Sequence, residues 1–383
     1  MRHCQDLQAN GCVAIVGAGP AGLTLAHLLL KRGFRVDVYE RDASREARSQ
    51  GGSLDLRADG GQRAMDAAGL LDAFRAESRE DAKAFRMLDQ TGTEMPDAGD
   101  DTHQDAGPEI DRGDLRNLLL DGLPADVLHW DHRLEAVHEA GDGRWRLDFR
   151  DREPVVADLV VGADGVGSRV RARLTPVQPA YTGITMVTAD IRRDQWRGSR
   201  LSEILGEGSV MFAGSGKTVF VQRCARDAIM LYYSLNVPQD WPEGEPFDLT
   251  DTQAVIGAVQ AAYADWSPEV MEMVTQVEGD LQRWPISVLP PDHRWDTQSG
   301  LTILGDAAHA MPPFTGKGVN LALLDALELA DALTAEPAAG IAEAVAGFER
   351  RMQARTRVET GACLEVGKQI YGLETEFDDA RPA

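Results

Sequence analysis

The apolar positions of the chain fall into runs whose spacing changes along its length. Val13 to Val16 form a short unbroken apolar run. A glycine turn follows, then a helical pattern from about Pro20 to Arg32 that stops at Gly33, then a second strand in "RVDVYE". This is a βαβ unit. A second strand-to-helix junction occurs late: "LTILGD" (301–306) is an apolar strand, and "GKGVNLALLDALELADAL" (316–333) carries a helix beginning near Gly318. Between them, from about 175 to 290, strand-like pieces such as "VFVQRC" and "AIMLYYSL" alternate with turns, which predicts an antiparallel sheet. Residues 341–373 repeat their apolar positions with a period near 3.6. A long C-terminal helix is therefore expected to clamp the two parts together, ahead of a frayed acidic tail, "ETEFDDARPA".

The fold class is α/β, with a Rossmann-like dinucleotide-binding domain, a substrate domain built on an antiparallel β-sheet, and a long C-terminal helix. The expected division is 1–174 with 291–335 for the first domain, 175–290 for the second, and 336–383 for the bridging helix.

A formal net charge of −23 makes nucleic acid and anionic membrane surfaces poor partners, because either would repel this chain. No window approaches the roughly 18 apolar residues that a spanning helix requires. The start, "MRHCQDLQANG", is polar and lacks a signal pattern. Cys4, Cys12, Cys224 and Cys363 stand at no metal-ligand or redox spacing, so free thiols in a reducing cytosol are expected, in a monomeric protein.

Candidate chemistry gathers at the two junctions. In "GAGPAG", Gly17 permits a tight turn, Gly19 lets a pyrophosphate approach the backbone, and Gly22 lets helix and strand pack closely. The helix N-terminus, at Pro20 and Ala21, then faces the phosphates with unpaired N–H groups and partial positive charge. Glu40, about 20 residues beyond the glycines, is placed to accept hydrogen bonds from a ribose. The pattern names a dinucleotide without saying which. At the late junction Gly305 and Asp306 end the strand, and a carboxylate there can bind a ribityl hydroxyl. The helix beginning at Gly318, with Val319 and Asn320 in its first turn, would stabilise the anionic edge of a reduced isoalloxazine. Pro312, Pro313, Gly316 and Gly318 would run along that edge, the prolines fixing φ and the glycines allowing close approach. Lys317 has two open placements, beside the pyrimidine edge or in solvent.

With "ADLVVGADGVGSRVR" (157–171) between them, these junctions make the chain resemble the class A flavoprotein monooxygenases, whose glycine-rich, DG and GD motifs occur in this order. Asp164 and Gly165 match the DG pair, with Ser168, Arg169 and Arg171 completing it. The resemblance implies a glutathione-reductase-type FAD domain and a segment that serves both FAD and the nicotinamide pyrophosphate. "YERDASREARSQGGSLDL" (39–56), "EIDRGDLRNLLL" (109–120) and "GDAAHAMPPFTGKGVN" (305–320) are similar, more narrowly, to the tetracycline-inactivating monooxygenases. That similarity implies that Arg41, Asp55, Arg112 and Asp306 contact FAD and that Arg48 meets NADPH. It also implies antibiotic resistance through tetracycline hydroxylation. An alignment of 208–241 puts Ser209 and Met230 where that group holds the drug with an arginine and a histidine, which counts against tetracycline and for a more apolar wall.

Met211, Phe212, Phe220, Met230, Tyr232 and Tyr233 are the strand residues expected to line a substrate cavity, with Pro312 and Phe314 from the late junction; the competing reading makes each strand residue ordinary sheet core. The implied reaction is reduction of FAD by NADPH or NADH, then transfer of one oxygen atom from a flavin hydroperoxide to an electron-rich aromatic or enol carbon. No protein nucleophile is required. The implied substrate is a hydrophobic aromatic or polyketide molecule. His309 is either a base or a structural partner of a buried aspartate, while His129, His132 and His138 lack a metal-site pattern. A flavin halogenase is disfavoured by the absence of a "WxWxIP" segment. A reductase, or a flavoprotein that binds a ligand without turnover, stays open.

Overall fold

The computed structural model describes residues 3–48, 51–80, 84–95, 106–191, 196, 198–241, 251–335, 340–375 and 377. Most of the acidic tail lies outside them. The strands, in chain order, are β1 (Val13–Val16), β2 (Val36–Tyr39), β3 (Ser53–Asp55), β4 (Phe85–Asp89), β5 (Glu109–Asp111), β6 (Leu128–His129), β7 (Leu134–Gly141), β8 (Arg144–Phe149), β9 (Val155–Ala157), β10 (Leu159–Gly162), β11 (Ala180–Ile191), β12 (Ser209–Gly214), β13 (Lys217–Arg223), β14 (Ile229–Asn236), β15 (Glu278–Val288) and β16 (Leu301–Ile303).

Five parallel strands in the order β16-β10-β1-β2-β6 form the first sheet. Its central strands are apolar at every position because both faces are covered: Val13, Ala14, Ile15, Val16 and the β10 residues Leu159, Val160 and Val161 are buried. The helix Pro20–Lys31, with proline at its first position, packs beside the helix Gly318–Leu333. The chain runs outward from β1 in both directions across the sheet, the arrangement that opens a crevice at the carboxyl ends of the strands. Register makes this concrete: Val16 pairs with Gly162 and Gly162 with Ile303. Three adjacent strands thus end in one row, and the glycine-rich, DG and GD motifs begin there.

The second sheet has the order β15-β11-β14-β13-β12-β4. It is antiparallel except at its edge, where β4 pairs parallel with β12. β4 lies in sequence within the first domain's segment; it joins this sheet because β12 offers it an unpaired edge. One face is closed by the helices Thr252–Ala262 and Pro268–Val274 over Val187, Val210, Phe212, Val219, Val221, Leu231 and Tyr233. The opposite face turns toward the ribbon β3–β5 of the dinucleotide domain.

The C-terminal helix Ile341–Tyr371 connects the two bodies, as its periodicity predicts. Its first half buries Val345, Phe348 and Met352 in the first core. At its end the Tyr371 ring packs on Phe314 at 4.7 Å, and its hydroxyl bonds Thr218 of β13 at 3.0 Å.

Candidate active site

The three motif loops are packed to van der Waals contact. Gly17 has a φ of +107°, and a Cβ there would sit 2.3 Å from the Ala163 carbonyl oxygen. A Cβ at Gly22 would lie 2.1 Å from the Gly17 carbonyl oxygen. Gly19 and Gly318 meet the opposite condition, since nothing lies within 4 Å of the position a Cβ would take. Two glycines therefore weld the loops together, and two leave approach space. The first-turn N–H groups of Ala21 and Gly22, and of Gly318, Val319 and Asn320, have no partner within their helices and point toward that space. This donor set, with helix-end partial charge, fits the pyrophosphate and pyrimidine edge of FAD.

Carboxylates frame the cradle. Glu40 is buried and accepts from the Ala18 N–H at 2.7 Å and the Asp42 N–H at 2.9 Å, which fixes it at the end of β2. Asp164 Oδ2 accepts from the Arg169 N–H at 2.7 Å, whereas Oδ1 is buried without a partner among the described residues. Desolvation pushes the Asp164 carboxyl upward. Such an orphaned acceptor fits a hydroxyl or N–H donor from a ligand. Gly305 closes the row, its N–H held by Asp325, while Asp306 is exposed at the start of the short helix Asp306–His309. Gly165 also takes a positive φ, of +76°.

Several expected residues also have partners within the protein. The Asn320 side chain is engaged within the protein: its oxygen accepts from the Arg57 N–H at 2.7 Å and the Gly61 N–H at 3.1 Å, and its amide donates to Asp55 O at 3.0 Å. Asp55 is paired with Arg57 at 3.1 Å and accepts from the Gly107 N–H at 3.1 Å. The Lys317 ammonium binds Glu359 of the C-terminal helix at 2.7 Å and is partly exposed. Arg112 is the first residue of the helix Arg112–Asp121 and is exposed, and Arg41 is exposed on the turn after β2. Arg48, on the same stretch, reaches Asp42 at 2.9 Å.

The substrate residues sort by strand parity. Met211, Phe220, Met230 and Tyr232 are half-buried on the face toward β3; Met211 pairs with Phe220 and Phe220 with Tyr232, whose rings are 5.7 Å apart. Phe212 and Tyr233 are corrected to core. They alternate onto the helix-covered face and are fully buried, since a period of two sends neighbours to opposite sides. Pro312 is buried, and its carbonyl accepts from the Cys363 thiol at 3.1 Å. Phe314 belongs to an apolar cluster with Met186, Tyr232, Ile286 and Tyr371, so Pro312–Phe314 and the sheet face do come together.

His309 is structural, as one of its two readings allowed. Its Nε2 lies 2.5 Å from Asp325 Oδ2, and the other Asp325 oxygen accepts from Arg355 at 2.7 Å, with Asp325 wholly buried. His129 and His132 stack around Tyr39, and no metal-ligating cluster occurs among the described residues. All four cysteines are free and buried. An enclosed cavity behind the short helix is lined by His293, His309, Thr356 and Thr360 among others, and holds none of the residues expected to touch FAD or substrate.

Sequence reasoning missed Gln222, whose amide donates to Ser53 O at 3.2 Å and accepts from the Ser53 N–H at 3.0 Å, docking β3 onto the sheet. A polar residue alternating with Val219 and Val221 was its signal. Arg116 was also missed; it is buried, with its guanidinium 3.3 Å from Ala18 O and over the Trp130 ring. No local pattern separates it from a surface arginine.

Together, the fold and site define a protein that presents a dinucleotide cradle beside the half-buried face of a second sheet. A family profile described as "FAD binding domain" matches residues 11–345, and the chain belongs to that family, among the class A flavoprotein monooxygenases. It is 30% identical to monooxygenase penA of Penicillium thymicola, over 84% of each chain. Identity to 3-amino-4-hydroxybenzoate 2-monooxygenase of Streptomyces cremeus is 31%, covering 95% of this chain and 87% of that one. The fold is also similar to tetracycline destructase Tet(51), with a TM-score of 0.69 and 19% identity over 94% of this chain and 92% of that one. The chain is thus an FAD-dependent monooxygenase. Among the described residues, no helix is long and apolar enough to cross a membrane.

Proposed function

We propose that the protein uses NADPH or NADH and dioxygen to insert one oxygen atom into an aromatic or enol carbon of a hydrophobic, polycyclic small molecule. The observation that carries this reading is the parity of the second sheet. Its helix-side residues are fully buried, whereas Met211, Phe220, Met230 and Tyr232 form a half-buried apolar and aromatic face against the FAD-side strand β3.

FAD, when bound, supplies hydride acceptance from the nicotinamide and activation of dioxygen. The chain's own groups do the rest. Gly17, Gly19, Ala21 and Gly22 would hold the pyrophosphate, and Glu40 the adenosine ribose. Asp164 and Asp306 would bind polyol hydroxyls, with Arg41, Asp55 and Arg112 beside them. The N–H groups of Gly318, Val319 and Asn320 would favour negative charge on the pyrimidine edge. Pro312, Pro313 and Gly316 would lie along the ring, and Arg48 would attract the NADPH phosphate. Burial drives the Tyr232 phenol well above its ordinary value, so Tyr232 serves as a neutral hydrogen-bond donor and not as a base. Tyr371, Phe314 and the C-terminal helix exclude water from this side.

Tetracycline hydroxylation is the narrower alternative. The shared fold of Tet(51) and the "GDAAHAMPPFTGKGVN" stretch speak for it, and Ser209 and Met230 at the drug-holding positions speak against it. The test is NADPH oxidation by the purified flavoprotein with and without a tetracycline, with product mass. Acceleration and a drug-plus-oxygen mass establish tetracycline as substrate. Acceleration by other polycyclic phenols but not by tetracycline leaves the broader reading, and no acceleration by any of them removes it.

A further inference from the structure

The face of the second sheet that looks toward β3 can be read strand by strand, because the opposite parity is fixed by the helix-covered core. On it stand Phe85 and Met87 of β4, Ser209 and Met211 of β12, Thr218, Phe220 and Gln222 of β13, Met230 and Tyr232 of β14, and Met186, Thr188 and Asp190 of β11. Among the described residues of these strands, this face carries no lysine, arginine or histidine. Its formal charges are the Asp89 and Asp190 carboxylates, both negative. Ser209, Gln222, Met230 and Asp190 lie side by side in a single cross-strand row, each paired with the next.

Two polar groups in that row have no hydrogen-bond partner among the described residues. The Ser209 hydroxyl is buried, at 6% exposure, and has no hydrogen-bond partner among the described residues. Asp190 is exposed at the end of the row. Nearby cations on the dinucleotide side are already matched, Arg57 by Asp55 and Arg79 by Glu109 and Asp111. Arg112, which acts on Tyr232 from that side, falls in the stretch assigned above to FAD.

Resting on the monooxygenase reading above, we infer that this face selects an uncharged polycyclic ring system bearing an N–H donor and rejects aromatic carboxylates, with Asp190 and Ser209 as specificity-determining groups. A carboxylate placed against this wall would lose its hydration with no cation on the sheet face itself to replace it, beside like charges, in a chain of net charge −23. An aryl N–H or ring N–H would instead satisfy the Asp190 carboxylate or the Ser209 oxygen. The substrate named for the Streptomyces cremeus relative is a benzoate, so the inference separates this chain's chemistry from that relative's.

The test is titration of the FAD-loaded protein with three matched probes, 1-naphthol, 5-amino-1-naphthol and 1-hydroxy-2-naphthoate, each read as a perturbation of the flavin absorbance and as stimulation of NADPH oxidation. The aminonaphthol should bind at least about tenfold more tightly than the naphthoate, with the plain naphthol between them. In Asp190→Asn, which keeps size and FAD content, the naphthoate should gain affinity and the gap should shrink. Ser209→Ala should weaken the aminonaphthol alone. If the naphthoate binds as well as the naphthol, or Asp190→Asn leaves the ranking unchanged, the specificity inference fails while the monooxygenase reading stands. If none of the three perturbs the flavin, the aromatic-substrate reading fails and takes this inference with it.

Discussion

Asp325 offers the sharpest test of how the site is held. It sits inside the apolar helix Gly318–Leu333 with no exposure, and three groups converge on it: His309 at 2.5 Å, the Gly305 N–H at 3.1 Å and Arg355 at 2.7 Å. Those contacts tie the GD turn to the C-terminal helix. They also hold the Asp325 carboxyl below its usual range, because attraction to His309 and Arg355 overcomes the desolvation that burial alone would impose. Asp325→Asn keeps the volume and removes the charge. Breaking a buried pair from one side costs about 3–5 kcal/mol. The low end applies, since Glu328 still holds Arg355 at 2.6 Å. With about 2.1 cal/mol/K of unfolding entropy per residue, a chain of 383 residues melting as one unit converts about 3 kcal/mol into a Tm loss of about 4 °C. Differential scanning calorimetry measures it, and flavin fluorescence on dilution should show faster loss of FAD, because the Gly305 N–H loses its charged acceptor. A variant with unchanged Tm and unchanged FAD retention would refute the reasoning. The sign with pH is equally defined: the folded value is depressed, so this stabilisation is present above the ordinary carboxylate value and is lost as pH falls through the folded one.

Gly22→Ala should yield folded protein with little bound flavin, read as the ratio of visible to ultraviolet absorbance, because the new methyl would meet the Gly17 carbonyl oxygen at 2.1 Å. Burial raises the Glu109 carboxyl to about 7 despite Ser53 and Arg79, so its folded value exceeds the unfolded one. The folded state then binds the proton more tightly, and stability should fall as pH rises from about 4.5 to 7. Glu109→Gln should remove that slope in urea titrations at pH 5 and pH 8, a difference of up to about 3 kcal/mol, and an unaltered slope would assign it elsewhere. Arg48→Ala should raise the KM for NADPH several-fold while FAD stays bound and the KM for NADH changes little; equal KM values for NADPH before and after would leave Arg48 with no part in NADPH binding.

The local signals in the chain were sufficient for the cradle. A glycine whose Cβ would strike a backbone oxygen, an apolar strand, and a helix with proline at its start leave few alternatives over a dozen residues, and the three motifs carry such signals independently. The sequence by itself therefore determined the parallel sheet, the two strand-to-helix junctions, the long C-terminal helix and the pieces of the second sheet. Side-chain destinations were another matter. Whether Tyr232 or Tyr233 faces the FAD side depends on which face the helices Thr252–Ala262 and Pro268–Val274 cover, a fact of packing between segments distant in the chain. Lys317 found Glu359, 42 residues away, and Asn320 spent its amide on Asp55, Arg57 and Gly61 across a separation of more than 250 residues. Only the tertiary structure decided those pairings, because a polar group takes the best partner that folding brings within 3 Å, and no local pattern records which partner that will be.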